Sequence, residues 1–145
     1  MMSSEPDVVD SPTGWVNKHI QDYVESNGAN GRVFAGVPAL LITTKGRKTS
    51  TLHRTALYYG EDDGRYVIVA SKGGAPAHPA WFLNLEANPD VELQVGSEVF
   101  PARARVAEGE ERARLWKMMA AIFPNYDQYQ ANTEREIPVV VLERK

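Results

Sequence analysis

Apolar and polar positions alternate in short blocks through residues 40–72. Apolar runs at Leu40–Thr44, Arg54–Tyr59 and Arg65–Ala70 are separated by two polar turns. Runs of this length that are bounded by turn residues predict β-strands. The second turn, Glu61–Gly64, contains Asp-Gly, which supplies the positive φ angles of a tight hairpin. The pattern therefore predicts three strands, of which the last two form a hairpin.

Three more strands are predicted further along the chain. Apolar and polar residues alternate over about 90–95, so one face of that strand is expected to meet water. A second strand at about 98–107 follows the Gly96-Ser97 turn. The run Pro138–Leu142 lacks alternation, which predicts a closing strand with both faces covered.

Helices are predicted where apolar residues recur at spacings of three and four. The first spans residues 13–27 and the third about 108–123. Between them, Ala80–Glu86 predicts a short helix that Asn88-Pro89 stops, because the residue before proline avoids helical geometry. The polar, aromatic segment Asn125–Tyr129 is expected to be a loop.

The apolar face of the first helix allows two interpretations. It can pack against the rest of the domain, or it can contact a membrane surface or a lipid substrate. The residues on this face are Trp15, Val16, His19, Ile20, Tyr23 and Val24.

Six short strands with two or three helices predict a mainly β, α+β fold, a small antiparallel barrel with helices outside. Residues 13–145 are predicted to form this single domain, because a chain of 145 residues suits one hydrophobic core. Residues 1–12 are polar, acidic and contain proline, so they are expected to be a flexible tail.

Composition narrows the classes of function. The formal net charge of −3 argues against nucleic-acid binding as the main role. Cysteine is absent, and the three histidines lack metal-ligand spacing, so no disulfide or metal site is predicted. No signal peptide or membrane span is apparent, and a cytoplasmic location is expected, with peripheral membrane contact through the first helix left open.

A cationic turn, Lys45-Gly46-Arg47-Lys48-Thr49-Ser50, joins the first two strands. Adjacent cations repel each other, which indicates an anionic partner. Arg47 offers a planar fork for phosphate or carboxylate, and Lys48 offers a point charge. Glycine does not directly precede the lysine, so the turn is not a P-loop. An ordinary solvated loop is the alternative.

The segment Ser71-Lys72-Gly73-Gly74 follows a predicted strand. Its glycines permit close backbone contact with a flat ligand, and Lys72 can pair with an anion. A plain turn is the alternative. Since the sequence shows no nucleophile elbow and no Ser/His/Asp arrangement, redox or other chemistry is expected to come from a cofactor.

Two tyrosines, Tyr126 and Tyr129, lie three residues apart in a polar segment where burial alone does not explain them. Aromatic side chains of this kind can wall a pocket for a planar substrate and offer a hydroxyl group. Tyrosines that only anchor the surface are the alternative.

Taken together, four segments resemble the deazaflavin (F420)-dependent nitroreductase and quinone reductase family of actinobacteria. The resemblance runs from about Val37 to Glu143. It implies a split β-barrel like those of flavin reductases and pyridoxine-phosphate oxidases, and coenzyme F420, an 8-hydroxy-5-deazaflavin, as the cofactor. The segments are LLITTKGRKTS, RTALYY, YVIVASKGGAPAHPAWFLNLEANPDVELQV and FPNYDQYQANTEREIPVVVLE.

The resemblance implies three groups of cofactor-binding residues. The phosphate and oligoglutamate tail of F420 would be held by Arg47, Lys48, Thr49, Ser50 and Thr51. The deazaflavin ring would be lined by Val69, Ala70, Ser71 and Lys72, with Leu57 and Tyr58 from the neighbouring strand. The groove would be completed by Ala80, Trp81, Leu83 and Asn84.

The implied chemistry is hydride transfer from the reduced deazaflavin to an electron-poor acceptor. Quinones, including menaquinone, are the implied natural class, and nitroaromatic compounds are adventitious acceptors. The implied catalytic residues are Ser71, Tyr126 and Tyr129, with Ser71 and Tyr126 as candidate donors to the developing anion. Phe123 stands where a relative active on bicyclic nitroimidazoles has a further tyrosine, which argues against nitroimidazole reduction.

Two other functions remain open at this point. One is an FMN-dependent oxidoreductase on the same fold, although several cations suit an oligoglutamate tail better than a single phosphate. The other is a non-catalytic carrier of F420, which would bind the reduced coenzyme without passing its electrons to menadione. The sequence makes no prediction of the oligomeric state.

Overall fold

The computed structural model describes residues 8–34, 36–49 and 51–145. The strands within these residues are β1 (Val8–Asp10), β2 (Val33–Phe34), β3 (Val37–Lys45), β4 (Leu52–Tyr58), β5 (Gly60–Asp62), β6 (Arg65–Val69), β7 (Asp90–Val95), β8 (Glu98–Val106) and β9 (Val139–Arg144). The helices are α1 (Gly14–Glu25), α2 (Ala80–Ala87), α3 (Gly109–Ile122) and α4 (Asn125–Ala131), with a 3₁₀ turn at Lys72–Gly74.

The strands form one sheet in the order β1-β4-β3-β7-β8-β9-β6-β5, with β2 paired to β3. Neighbouring strands are antiparallel, except that β1 runs parallel to β4. β4 approaches β6 although four strands separate them along this path, so the sheet curves strongly. In the described part of the chain no ladder joins β4 to β6. The α+β class is confirmed, and the sheet is not closed by hydrogen bonds into a barrel.

The tight turn between β5 and β6 has the geometry that its sequence predicts. Asp63 and Gly64 adopt φ angles of 52° and 79°. Both angles lie in the left-handed region, which the favoured two-residue hairpin turns require and which Asp-Gly tolerates. The turn therefore fixes the register in which Gly60 lies opposite Val67.

The expected flexible tail over residues 1–12 is wrong for Val8–Asp10, which form β1. Asp10 accepts hydrogen bonds from Arg54 Nε at 2.6 Å and from Arg54 Nη2 at 3.1 Å. The Ser11 amide donates to the Arg54 carbonyl at 2.9 Å. A three-residue strand has no periodicity of its own, so only its distant partner could reveal it. Residues 1–7 lie outside the described residues.

The first helix packs against the sheet, as one of its two interpretations predicts. Ile20 and Tyr23 are fully buried, and they contact Leu41 of β3. Trp15 and Val24 were expected on the same apolar face, but they remain 64% and 39% exposed. Among the described residues, no helix combines the length and apolarity needed to cross a membrane.

The two faces of the sheet bury separate cores, and β9 contributes to both. Val139–Leu142 are fully buried, which confirms the prediction that both faces of this strand are covered. On one face, Leu40, Ile68 and Phe82 pack together beneath α2. On the other face, α3 and α4 cover the core, whose members include Val67, Leu115, Met119 and Tyr126.

The predicted loop at Asn125–Tyr129 is wrong, because these residues begin α4. Pro124 precedes the helix at a fixed φ of −59°, and Tyr126 and Tyr129 then fall on one face at a spacing of three. That spacing was visible in the sequence. The polar composition of the segment hid it, since a seven-residue helix offers too few turns for a clear apolar period.

Candidate active site

Two adjoining cavities form one long groove. We call the first, of about 540 Å³, the aromatic cavity, because Tyr58, Phe123, Tyr126 and Tyr129 line it. The second, of about 670 Å³, is the cationic cavity, because Arg47, Lys48 and Arg54 line it. The cavities are continuous because six residues line both of them: Ser11, Thr13, Thr55, Lys72, Pro79 and Trp81.

The groove lies beside the gap in the curved sheet. Leu57 and Tyr58 of β4 and Val69 of β6 line the aromatic cavity, so the groove follows the line where these two strands approach without pairing. The segment at Val9–Thr13 walls the outer side, and α2 walls the cationic cavity. β1 pairs with β4 only at Leu52, His53 and Arg54, and β5 pairs with β6 only at Arg65, Tyr66 and Val67. Over the described ranges, the rest of β4 and of β6 has no ladder partner on the edge that faces the gap, which leaves room for a ligand.

The cationic turn is held in place from α2. Asn84 is 4% exposed, and its Oδ1 accepts hydrogen bonds from the Arg47 amide at 3.2 Å and from Arg47 Nη1 at 3.0 Å. Asn84 Nδ2 donates to Thr44 Oγ1 at 3.3 Å. Within residues 8–34, 36–49 and 51–145, no carboxylate forms an ion pair with Arg47 or Lys48. The turn thus carries positive charge that suits an anionic ligand.

The Ser71–Gly74 segment lies between the two cavities in an unusual backbone conformation. Lys72, Gly73 and Gly74 have successive φ angles of 45°, 64° and 82°. A left-handed φ costs a non-glycine residue such as Lys72 on the order of 1 kcal/mol. A Cβ on Gly74 would lie 2.8 Å from the Tyr129 carbonyl oxygen. Glycine therefore allows the loop to lie directly against α4.

Four aromatic rings pack around the aromatic cavity. Phe123 lies at the centre, with ring centroids 5.0 Å from Tyr58 and 5.0 Å from Tyr126, and the Tyr126 and Tyr129 centroids are 6.4 Å apart. Tyr126 is 4% exposed, and this burial raises the pKa of its phenol above the usual value. Its hydroxyl stays protonated at physiological pH, so it can donate a hydrogen bond but is a weak acid.

Most residues that the sequence assigned to the site line the groove. The aromatic cavity contains Leu57, Tyr58, Val69, Ser71, Lys72, Trp81, Tyr126 and Tyr129. The cationic cavity contains Arg47, Lys48, Thr49, Lys72, Ala80, Trp81 and Asn84.

Four of the assigned residues are not placed on the walls of the groove. Ser50 lies outside the described residues. Thr51 lines neither cavity, and its carbonyl accepts a hydrogen bond from Gly46 within the turn, at 2.8 Å. Ala70 is fully buried beneath the groove, and Leu83 packs against the core under α2.

The sequence did not assign several residues that line the groove. Thr55 lies two residues before Leu57 on β4, so strand alternation already places both side chains on one face. Pro79 directly precedes α2, beside two residues that were assigned. Ser11 and Thr13 had no such signal, because the segment that carries them reaches the groove only through the pairing of β1 with β4.

Comparison with known proteins identifies the family. A family model described as F420H(2)-dependent quinone reductase matches residues 15–144. The chain belongs to this family. The F420H(2)-dependent quinone reductase Rv1261c of Mycobacterium tuberculosis H37Rv is 41% identical over 144 residues, which cover 90% of the chain and 97% of that relative.

Solved structures agree with this membership. An F420-H2 dependent reductase, FDR-A, is 45% identical with a TM-score of 0.69, covering 73% of the chain and 94% of that structure. A structure described as a domain-swapped dimer is 40% identical with a TM-score of 0.72, and the match covers 92% of the chain and 100% of that structure. A Listeria innocua protein described as a putative pyridoxamine 5′-phosphate oxidase is 13% identical with a TM-score of 0.52, and the match covers 74% of the chain and 83% of that structure. At this identity the likeness is one of fold alone.

Membership in the F420H(2)-dependent quinone reductase family confirms the leading function from the sequence. The chain is an oxidoreductase that uses coenzyme F420 and transfers a hydride from its reduced form to a quinone. The groove fits this coenzyme: an acidic tail requires cations without carboxylate partners, and a flat ring requires apolar walls.

Proposed function

We propose that the groove binds F420 with its acidic tail in the cationic cavity, and that the quinone binds in the aromatic cavity. The observation that supports this arrangement is the continuity of the two cavities through Lys72 and Trp81. A single ligand can therefore contact the charges at one end and the border of the aromatic cluster at the other.

Arg47, Lys48 and Thr49 hold the tail in this proposal. Arg47 uses one guanidinium nitrogen on Asn84, which leaves further N–H donors for phosphate or carboxylate oxygens. Lys48 is exposed and adds a mobile point charge. Asn84 acts from behind the turn, because its amide is already bonded to Arg47 and Thr44.

The middle of the groove holds the flat ring between apolar and charged groups. Val69, Leu57 and Trp81 supply apolar walls, which exclude water from the reacting end. Ser71 and Lys72 approach from the loop that lies against α4. When bound, the reduced deazaflavin supplies the hydride that reduces the quinone.

Tyr126 and Ser71 are the proposed donors to the quinone oxygen that gains negative charge. Both line the aromatic cavity, and a fixed hydrogen bond at a developing anion lowers the barrier. Because burial raises the pKa of Tyr126, the phenol stabilises the anion as a hydrogen-bond donor and keeps its own proton. The reduced quinone anion then takes its proton from bulk solvent after it leaves the cavity. Tyr129 closes the cavity beside the loop. Nitroaromatic acceptors are secondary, since Phe123 contributes a ring without a hydroxyl.

The fold is proposed to be a split β-barrel in which the gap between β4 and β6 is the split. The strong curvature of the sheet and the approach of these strands support this description. The likeness to an oxidase-type fold at a TM-score of 0.52 also supports it. In this arrangement the split itself forms the coenzyme groove.

A cytoplasmic protein that contacts the membrane surface suits a lipid-soluble quinone. Trp15 is 64% exposed and Val9 47% exposed, and each lines one of the cavities. An exposed tryptophan beside the acceptor cavity supports peripheral contact of α1 with the headgroup region. Flotation with anionic vesicles tests this: Trp15→Ala should reduce the bound fraction, whereas Val24→Ala at the far end of α1 should not.

A single experiment tests the central proposal. Purified protein is mixed without oxygen with reduced F420 and menadione, and the absorbance of the oxidised deazaflavin is followed. Reoxidation that depends on the protein is expected. Tight binding without reoxidation would instead support a carrier, and calorimetry that detects FMN binding but no F420 binding would support the FMN alternative.

A further inference from the structure

One arginine outside both cavities is bonded to the loop that lines them. Arg135 lies in the connection between α4 and β9. Its Nε donates to the Ala75 carbonyl at 2.8 Å, and its Nη2 donates to the Ser71 carbonyl at 2.8 Å. Its Nη1 donates to the Ala70 carbonyl at 3.3 Å and lies 3.0 Å from His78 Nδ1. All of these acceptors belong to the segment 70–78.

Arg135 does not serve an ordinary ion pair. Among the residues that the structure describes, no carboxylate pairs with it, and the adjacent Glu136 pairs instead with Arg112 at 3.1 Å. Since an arginine has only donors, His78 Nδ1 accepts its hydrogen bond. The planar guanidinium therefore serves to orient backbone carbonyls and one ring nitrogen, a task that a single ammonium group cannot reproduce.

The loop needs such an external support because its conformation is strained. Lys72 has a φ of 45°, which a lysine adopts only when its surroundings impose it. Tyr129 restricts the loop at Gly74, and Arg135 fixes the carbonyl of Ser71. In a trans peptide the amide hydrogen points opposite to the preceding carbonyl, so the Lys72 N–H is directed away from Arg135.

The arginine is itself held rigidly. Gln130 of α4 donates from Nε2 to the Arg135 carbonyl at 2.8 Å and accepts a hydrogen bond from the Ile137 amide at 2.9 Å. The backbone around Arg135 is thus fixed to the helix that carries Tyr126 and Tyr129. Through this connection the coenzyme loop and the acceptor tyrosines share one support.

We propose that Arg135 is a positioning residue for the coenzyme: it holds Ser71 and Lys72 in the geometry that the F420 groove requires, without touching the groove. This inference rests on the proposed placement of F420 beside the loop. The loop is held by the directed N–H donors of the planar guanidinium, and a positive charge without that geometry is not enough to hold it.

The test compares Arg135→Lys with Arg112→Lys. Arg112 is a matched control, because it also donates to a carbonyl of this connection, that of Ile137 at 2.7 Å, but has no hydrogen bond to the loop. In the coenzyme-free protein, hydrogen exchange of the Ser71–Ala75 amides should accelerate about tenfold or more in Arg135→Lys. The Kd for F420 should rise about tenfold, with kcat changed less than about threefold. Arg112→Lys should change neither.

A second variant distinguishes loss of the guanidinium group from loss of the fold. Arg135→Ala should recover F420 affinity when millimolar guanidinium is added, and Arg112→Ala should not respond. Arg135→Lys with wild-type loop exchange and a wild-type Kd would overturn the inference. A different outcome is possible: loop exchange could be faster in Arg135→Lys while the wild-type protein does not bind F420. That result would contradict the proposed coenzyme site but would still support the role of Arg135 in holding the loop.

Discussion

The two ends of the groove are built in opposite ways. The cationic cavity takes two of its charges from one exposed turn, in which Arg47 and Lys48 are neighbours in sequence, while its Arg54 is already paired with Asp10. The aromatic cavity takes its rings from β4, from the end of α3 and from α4, and its central phenol, Tyr126, is buried. Charge at the first end is a local property, whereas the ring cluster at the second exists only after the domain has folded.

This difference predicts different kinds of failure. Charges on an exposed turn act through water, so their loss should weaken coenzyme affinity in a manner that salt screens. Packed rings and a buried hydroxyl act on the acceptor and on the fold, so their loss should change turnover or stability. The loop at Ser71–Gly74 touches both ends and should therefore show both kinds of failure.

The largest effect is expected for Gly74→Ala. A Cβ there would lie 2.8 Å from the Tyr129 carbonyl oxygen and 3.0 Å from its Cα, so the loop and α4 must separate. A left-handed φ adds about 1 kcal/mol, and the clash raises the total loss of stability to roughly 2 kcal/mol or more. F420 affinity and turnover should both fall more than tenfold. Chemical denaturation and coenzyme titration measure the two losses.

Gly73→Ala is the matched control for this substitution. Gly73 also has a positive φ, at 64°, but a Cβ there meets nothing within 4 Å. It should cost only about 1 kcal/mol, the penalty of the backbone conformation. Equal losses in the two variants would mean that contact with α4 does not matter, and that the groove ends are not joined through this loop.

The next effect concerns the cationic end alone. Lys48→Ala should weaken F420 binding about tenfold at low salt, because a point charge near an acidic tail is lost. The difference from wild type should shrink as salt is added, while kcat stays within about twofold. Lys45→Ala, an exposed lysine of the same turn that lines neither cavity, serves as the control. If Lys48→Ala lowered F420 affinity by the same factor at low and high salt, the proposal that the acidic tail binds in the cationic cavity would be contradicted.

At the aromatic end, Tyr126→Phe should lower kcat about tenfold and leave the F420 Kd nearly unchanged, because only a hydrogen bond to the acceptor is lost. Burial raises the pKa of Tyr126 above its usual value near 10. The ratio of wild-type to variant kcat should therefore stay constant up to about pH 10. Tyr66→Phe, a ring that packs on Tyr59 and Phe100 outside both cavities, should have no effect. A ratio that falls between pH 7 and 9 would contradict a phenol held protonated by burial.

The same contrast explains what the sequence could predict. Adjacent cations, an Asp-Gly hairpin and an unbroken apolar run such as Pro138–Leu142 are local signals. The structure has the predicted hairpin and the strand covered on both faces, and it places the two cations on the wall of a cavity. Of the nineteen residues that line the aromatic cavity, eleven were not assigned from the sequence, and most of these reach the cavity only through the meeting of distant strands and helices.

Two errors show why the rest was out of reach. The segment Val8–Asp10 gains its structure from β4 and from Arg54, more than forty residues away in the chain, so no local pattern marks it. Helix α4 is short and polar, and its tyrosines face the groove only because Phe123 and Tyr58 pack beside them. Arg135 likewise gains its role from carbonyls about sixty residues away.

The smallest effect on the groove is expected for Asp62→Asn, which sets the baseline for both ends. Asp62 accepts hydrogen bonds from Arg114 and Arg65, which lower the pKa of its carboxyl to about 2. Because this pKa is lower in the folded protein than in the unfolded chain, where it is near 3.8, the ionised carboxylate stabilises the fold at pH values above 3.8. That stabilisation is lost as the pH falls toward 2 and the carboxyl is protonated. Wild type should therefore exceed Asp62→Asn in stability at pH 6, and the gap should close between about pH 4 and pH 2.

Asp63→Asn is the control, because Asp63 is the exposed neighbour in the same turn and asparagine also tolerates its φ of 52°. Its stability should follow that of wild type down to low pH. Neither variant should alter the F420 Kd or kcat, since Asp62 and Asp63 line neither cavity. A change in coenzyme affinity with Asp62→Asn would mean that the groove responds to stability lost anywhere in the sheet. The changes in Kd and kcat caused by substitutions at either end of the groove would then have to be compared with the changes caused by loss of stability alone.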